Sequence, residues 1–91
     1  MSKKLSGIYQ IRNLINGKKY IGQTIDLNIR MLHHFSSLKR NKNDNPHLQN
    51  AYNLYGKENF VFEILIYCEQ NELTKYEQFF VDSCAPEHLY N

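Results

Sequence analysis

The stretch "GIYQIRNLINGKKYIG", residues 7–22, decides the fold. Asn16-Gly17 is a strong signal for a tight hairpin, because both residues accept the positive φ that such a turn needs. Residues 6–13 and 18–24 flank it and alternate β-forming with polar side chains, as half-buried strands do. A loop at 14–17 places Asn13 across from Lys18, Ile11 across from Tyr20 and Tyr9 across from Gly22. Side chains alternate along a strand, so Tyr9, Ile11, Tyr20 and Gly22 share one face. Tyr9 and Tyr20 are then diagonal neighbours, roughly 7–8 Å apart at Cα. Gly22 leaves the space opposite Tyr9 without a side chain, so a ligand could approach the backbone there. Two readings of the pair are open from these residues: an aromatic packing pair beside a glycine, or two hydroxyls placed for chemistry.

Working outward, Asp26 is a good N-cap for a helix over 27–40, where Leu27, Met31, Phe35 and Leu38 form an apolar stripe. Arg30 and His34 are four apart and stack on one side. At ~100° per residue they lie roughly 60° and 20° outside Leu27, at one margin of the stripe. A cation and an imidazole there could hold an anion, or simply lay a stem over the core. His33 projects elsewhere, and the His33-His34 pair is not a metal site. "NKNDNP" reads as a loop, with Asn45 and Pro46 opening a second helix through Tyr55 that Gly56 closes as an αL cap. "FVFEILIYC", 60–68, is a nearly continuous apolar run of strand length, expected to be covered on both faces. Asn71 can cap a last helix over 72–83, which must stop by Pro86. On that helix Leu73, Tyr76 and Phe80 face the core, Phe79 lies near it, and Glu77 stands at the opposite margin. The order is ββααβα: an α+β fold, with a small three-stranded antiparallel sheet flanked by three helices.

Ninety-one residues bound the chain to a single domain, 1–91, with one core. The composition, 42% apolar and 22% charged, is globular, without repeats or low-complexity segments. No apolar run approaches the roughly 20 residues of a membrane helix, and "MSKKLSG" is unlike a signal peptide. A net charge of +2 is too small to argue nucleic-acid binding from charge alone. Cys68 and Cys84 read as ordinary thiols of a reducing, intracellular compartment.

With these motifs in place, the chain resembles the GIY-YIG nuclease domain from residue 6 to residue 91. "GIY" stands at 7–9 and "YIG" at 20–22. "GQTIDLNIRMLHHF", 22–35, resembles the family's arginine helix and puts Arg30 and His34 in register. "FVFEIL", 60–65, resembles its third strand, and "YEQFFVD", 76–82, the helix whose metal-binding glutamate falls on Glu77. The terminal "YN" places the family's asparagine on Asn91. "NPHLQNAYNLYGKENF", 45–60, is similar to the phage and intron-encoded homing branch. Gln23 and His34 differ from the lysine and tyrosine usual in the excision-repair branch.

The resemblance implies a DNA endonuclease, the catalytic domain of a homing-type enzyme or a free-standing relative. It would hydrolyse phosphodiesters with one divalent ion, Mg²⁺ or Mn²⁺, held by Glu77, and leave a 5′-phosphate and a 3′-hydroxyl. In that reading Arg30 neutralises the scissile phosphate, and Tyr9 is general base or water positioner. Tyr20 donates to the phosphate or orients the water, His34 relays the proton or fixes a tyrosine hydroxyl, and Asn91 braces the site. DNA is the expected partner of a monomer that uses no organic cofactor and no membrane, in the cytoplasm or at the nucleoid. A non-catalytic nucleic-acid-binding module of the same fold would be marked by loss of Glu77 or Arg30, and both are present.

Overall fold

The structure, a computed structural model, describes residues 4–91. Met1 to Lys3, part of the start read above as unlike a signal peptide, lie outside them. Strands β1 (Gly7–Asn13) and β2 (Lys19–Thr24) precede helices α1 (Leu27–Lys39) and α2 (Pro46–Tyr55). Strand β3 (Phe60–Tyr67) and helix α3 (Leu73–Asp82) follow. The sheet is antiparallel in the order β2-β1-β3. The hairpin register is the one expected: Tyr9 faces Gly22 and Ile11 faces Tyr20. Gly17 takes φ 75° in the turn, and Asn13 N–H bonds Lys18 O at 2.8 Å.

Alternation on β1 sorts the molecule into three layers. Tyr9 and Ile11 point to one face and pack with Leu27 and Leu38 of α1 and Leu48 and Ala51 of α2. Ile8 points to the other and packs with Ile21, Leu73, Tyr76 and Phe80. Helix α3 therefore covers the face opposite α1 and α2. A bulge between the pairs Ile8–Ile66 and Tyr9–Ile64 inserts Leu65, so Leu65 and Ile66 both reach the α3 layer.

The caps Asp26 and Asn45 each accept a backbone N–H, from Ile29 and Leu48, as the sequence leads one to expect. Helix α1 ends in a Schellman turn at Asn41, with φ 59°. There Asn41 N–H bonds Leu38 O, and Lys42 N–H bonds Ser37 O at 2.8 Å. That turn folds the loop 41–45 back over the last two turns of the helix.

Four expectations are corrected. The run 60–68 is not covered on both faces: β3 is an edge strand, only Phe60 is buried, and Ile64 and Tyr67 are 43% and 57% exposed. It is β1 that occupies the centre. Gly56 ends α2 with φ 91° and ψ 151°, an extended mirror-image conformation open only to glycine rather than an αL cap. Asn71 lies inside a short 3₁₀ turn, Gln70–Glu72, which a Glu69/Glu72 capping box starts, and α3 begins only at Leu73. Phe79 is 61% exposed, because it lies about 120° around the helix from Leu73.

Candidate active site

The site assembles where α1 crosses the β1–β2 hairpin. Tyr9 is 1% exposed, its ring stacked on Phe62 with centroids 4.9 Å apart. Its Oη lies 2.8 Å from His34 Nε2. The ring of Tyr20 stands 6.3 Å from that of Tyr9 and 5.4 Å, edge-on, from the imidazole of His34. Two strand residues that hairpin parity places on one face thus meet one residue of α1 in a single cluster.

Beside the cluster opens a cleft of ≈ 620 Å³ between the end of α1 and the start of α2. Tyr20, Arg30, His34 and Asn91 line it, and Arg40, Lys42, His33 and His47 add basic groups around a single acid, Asp44. Arg30 is exposed, with its charge in the cleft. His33, read from the sequence as projecting elsewhere, is part of this rim.

Gly22 answers the question the hairpin raises. The space opposite Tyr9 is not open to a ligand, because the phenol of Tyr9 itself fills it. A Cβ at Gly22 would lie 2.6 Å from Tyr9 Cζ and closer still to Oη. Glycine at this position is what lets the tyrosine lie across β2 and reach His34.

Glu77 comes from the other layer. It is half-buried on α3, and Gln23 Nε2 donates to its Oε2 at 3.4 Å across the edge of β2. It does not line the cleft, yet its charge bears on both Tyr9 and Tyr20 and opposes their ionisation. Asn91 braces β2 from outside. Its side-chain amide makes two bonds to Ile21, donating Nδ2–H to the carbonyl at 2.7 Å and accepting the N–H at 2.9 Å. Tyr90 N–H bonds Lys19 O in the same tail, so the segment completes an otherwise open strand edge.

Burial sets the resting protonation. It raises the Tyr9 hydroxyl well above its ordinary range, with the neighbouring Tyr20 adding to the effect and Arg30 opposing it. Tyr20 is raised mainly by burial as well. His34 is pushed down to about 4, by burial first and then by Arg30, so its imidazole is neutral at pH 7. Cys68 sits under the α3 layer, away from these groups, with its thiol raised by burial.

The donor set suits only one kind of metal. Among the described residues no three His, Cys, Asp or Glu side chains cluster. A lone, partly solvated carboxylate fits a hard cation that keeps most of its water, as Mg²⁺ does, and not a cation that needs a protein cage.

Residues 42 to 45 hold what sequence reasoning missed. Asn43 Nδ2 lies 3.1 Å from His34 Nδ1 and 2.9 Å from Ser37 Oγ, and Asn45 Nδ2 donates to Tyr90 O at 3.0 Å. A polar loop gives no periodic signal, and only the turn at Asn41 brings it to the histidine.

The β-hairpin, the arginine helix and the glutamate on the far side of β2 define a small α+β catalytic domain, and comparison with known proteins names its kind. The GIY-YIG catalytic domain profile matches residues 5–91, and the chain belongs to that family. It is 39% identical over 61 residues to an intron-associated endonuclease of Enterobacteria phage T4. It is also 31% identical over 96 residues to a probable intron-encoded endonuclease of Neurospora crassa. The matches cover 67% and 98% of this chain but only 24% and 30% of those relatives, so it spans less than a third of their length. Two solved structures of the catalytic domain of the homing endonuclease I-TevI, one of them a point mutant, superpose with TM-scores of 0.85 and 0.84. They are 30% and 31% identical, over 96% and 94% of this chain and 92% and 96% of theirs. The α+β fold and its likeness to the homing branch follow directly. Membership of the family implies dependence on a divalent metal. No described helix is long and apolar enough to cross a membrane.

Proposed function

We propose that residues 1–91 form a single catalytic domain that cleaves DNA as an endonuclease of the homing type, with one Mg²⁺ per site. The observation that carries this reading is the half-buried Tyr9–His34 hydrogen bond opening, through Tyr20, onto a cleft that holds Arg30. Phosphodiester hydrolysis needs an oriented water and compensation for charge that grows on the phosphate. Arg30 supplies the compensation, because its planar fork matches two phosphate oxygens. Tyr9 orients the water or takes its proton, and the Arg30 charge favours the phenolate against burial. Tyr20 donates its hydroxyl hydrogen to the phosphate, His34 holds Tyr9 in place, and Asn91 fixes β2 beneath them. Glu77 holds the metal, which when bound supplies positive charge to the phosphate and the leaving oxygen.

DNA lies across the cleft mouth, its backbone followed by Arg40, Lys42, His33 and His47. With a net charge of +2 the domain neutralises few phosphates and cuts with little sequence preference. It works as a monomer, inside the cell, without an organic cofactor. The test is incubation of the purified protein with supercoiled plasmid, with Mg²⁺ or with chelator. Nicking that needs the metal supports the assignment. Plasmid left intact at micromolar protein with Mg²⁺ and with Mn²⁺ would defeat it.

A further inference from the structure

We infer that Asn43 fixes the tautomer of His34, so that the imidazole carries its hydrogen on Nε2 and donates it to Tyr9 Oη. Asn45 N–H points at one terminal atom of the Asn43 amide, 3.0 Å away, and a backbone N–H can only donate. That atom is therefore Oδ1, and the amide has one orientation. Ser37 agrees with it. Its hydroxyl hydrogen goes to His34 O at 2.9 Å, so its oxygen is free to accept, and Asn43 Nδ2 donates to it at 2.9 Å. The loop is held as well, because Asn43 N–H bonds Oε1 of the buried Gln49 at 2.9 Å.

The second hydrogen of the Asn43 amide then faces His34 Nδ1 at 3.1 Å. Nδ1 must be an acceptor. A neutral imidazole has one acceptor and one donor nitrogen, so Nε2 bears the hydrogen. Burial and Arg30 keep the ring neutral at pH 7. Nε2 lies 2.8 Å from Tyr9 Oη, and the bond between them runs from histidine to tyrosine. The opposite tautomer would set Nδ1–H against the Asn43 amide hydrogen.

The direction matters for the chemistry. His34 does not receive the proton of Tyr9. It supplies a hydrogen bond to the phenol oxygen, which favours the phenolate and leaves the hydroxyl hydrogen of Tyr9 to another partner. Asn43 is a positioning residue that acts through the histidine. The kinetic part of this inference rests on the nuclease reading above, whereas the proton assignment does not.

Long-range ¹H–¹⁵N correlation spectra of the ¹⁵N-labelled protein at pH 7.5 read the tautomer directly. The wild type should show His34 with hydrogen on Nε2, and finding it on Nδ1 overturns the inference whatever the variants do. Asn43→Asp keeps the shape and the bond from Asn45 N–H but puts an acceptor against Nδ1. It should move the hydrogen to Nδ1 or charge the ring, and slow single-turnover nicking by at least ~10-fold, less than the ~10²–10⁴-fold of a group that itself transfers the proton, because Asn43 acts through the histidine. Its added negative charge lines the cleft and weakens DNA binding, so the rates are compared at saturating protein. Amide spectra report whether the variant is folded. An aspartate variant whose ring stays neutral with hydrogen on Nε2 alone, or whose ring changes protonation while cutting continues at the wild-type rate, removes the role of Asn43. A wild-type protein with the inferred tautomer that never nicks DNA upholds the hydrogen-bond assignment and brings down the nuclease reading alone.

Discussion

Adding one methyl group at Gly22 should disable the site without replacing any side chain that carries its chemistry. Gly22 has an ordinary strand conformation, so alanine meets no backbone obstacle. The obstacle is Tyr9. The new Cβ would stand 2.6 Å from Cζ and 3.1 Å from Cε1, where ordinary contact begins at 3.4 Å. The ring must retreat by about 1 Å, a distance that costs on the order of 100-fold in rate at an active site. It has little room, because Phe62 stacks against it at 4.9 Å and its hydroxyl is tied to His34 at 2.8 Å. Overpacking of this kind destabilises by ~1–3 kcal/mol. For a domain this size each kcal/mol lowers Tm by about 4–8 °C. Gly22→Ala should therefore melt roughly 5–20 °C lower and nick plasmid about 100-fold more slowly. A differential scanning melt and single-turnover cleavage measure the two effects. Tyr9→Phe placed on Gly22→Ala removes the closest atom, so the pair should be more stable than the sum of the single losses. If Gly22→Ala melts and cuts like wild type, Tyr9 does not need the position it occupies, and the reasoning fails.

Arg30→Ala should keep the fold, with a stability loss of ~1 kcal/mol or less for an exposed residue, and cut at least ~100-fold more slowly; wild-type nicking at an unchanged Tm would end its role. Glu77→Gln keeps an oxygen for Gln23 and loses the charge, so it should bind DNA but not cut at any Mg²⁺ or Mn²⁺ concentration; a manganese-soaked crystal with its anomalous peak away from Glu77 would count against the metal site. His34 gives the stability a pH dependence. Its folded pKa of about 4 lies below the unfolded 6.5, so the unfolded chain binds more protons between them. The stability present above pH 6.5 is lost as pH falls toward 4, by ~1–2 kcal/mol once its partial exposure is allowed for. Urea melts from pH 7 to 4 should show this loss in the wild type and less of it in His34→Gln; equal slopes would contradict it.

What the sequence determined by itself was local. The Asn16-Gly17 turn and the alternation around it were enough to set the register of Tyr9, Gly22 and Tyr20, because a hairpin needs only neighbours in the chain to close. Asp26 and Asn45-Pro46 announced two helix starts, because a cap satisfies N–H groups only two or three residues away. The four-residue step from Arg30 to His34 put both on one margin of α1, where the structure has them.

Strand order and layering were decided elsewhere. The apolar run 60–68 reads as a strand covered on both faces, but it lies at the sheet edge while β1 alone pairs on both sides, and the bulge at Leu65 turns two successive residues of β3 toward α3. Nothing near Glu77 in the sequence says that its helix packs on the face opposite α1, with Glu77 beside Gln23 at the edge of β2. Nor does the loop 41–45 reveal that Asn43 governs His34. Both depend on contacts between segments distant along the chain, or on a turn that reverses its direction. Periodicity reports which face of an element is apolar, whereas only the closing of those faces on one another settles which elements meet.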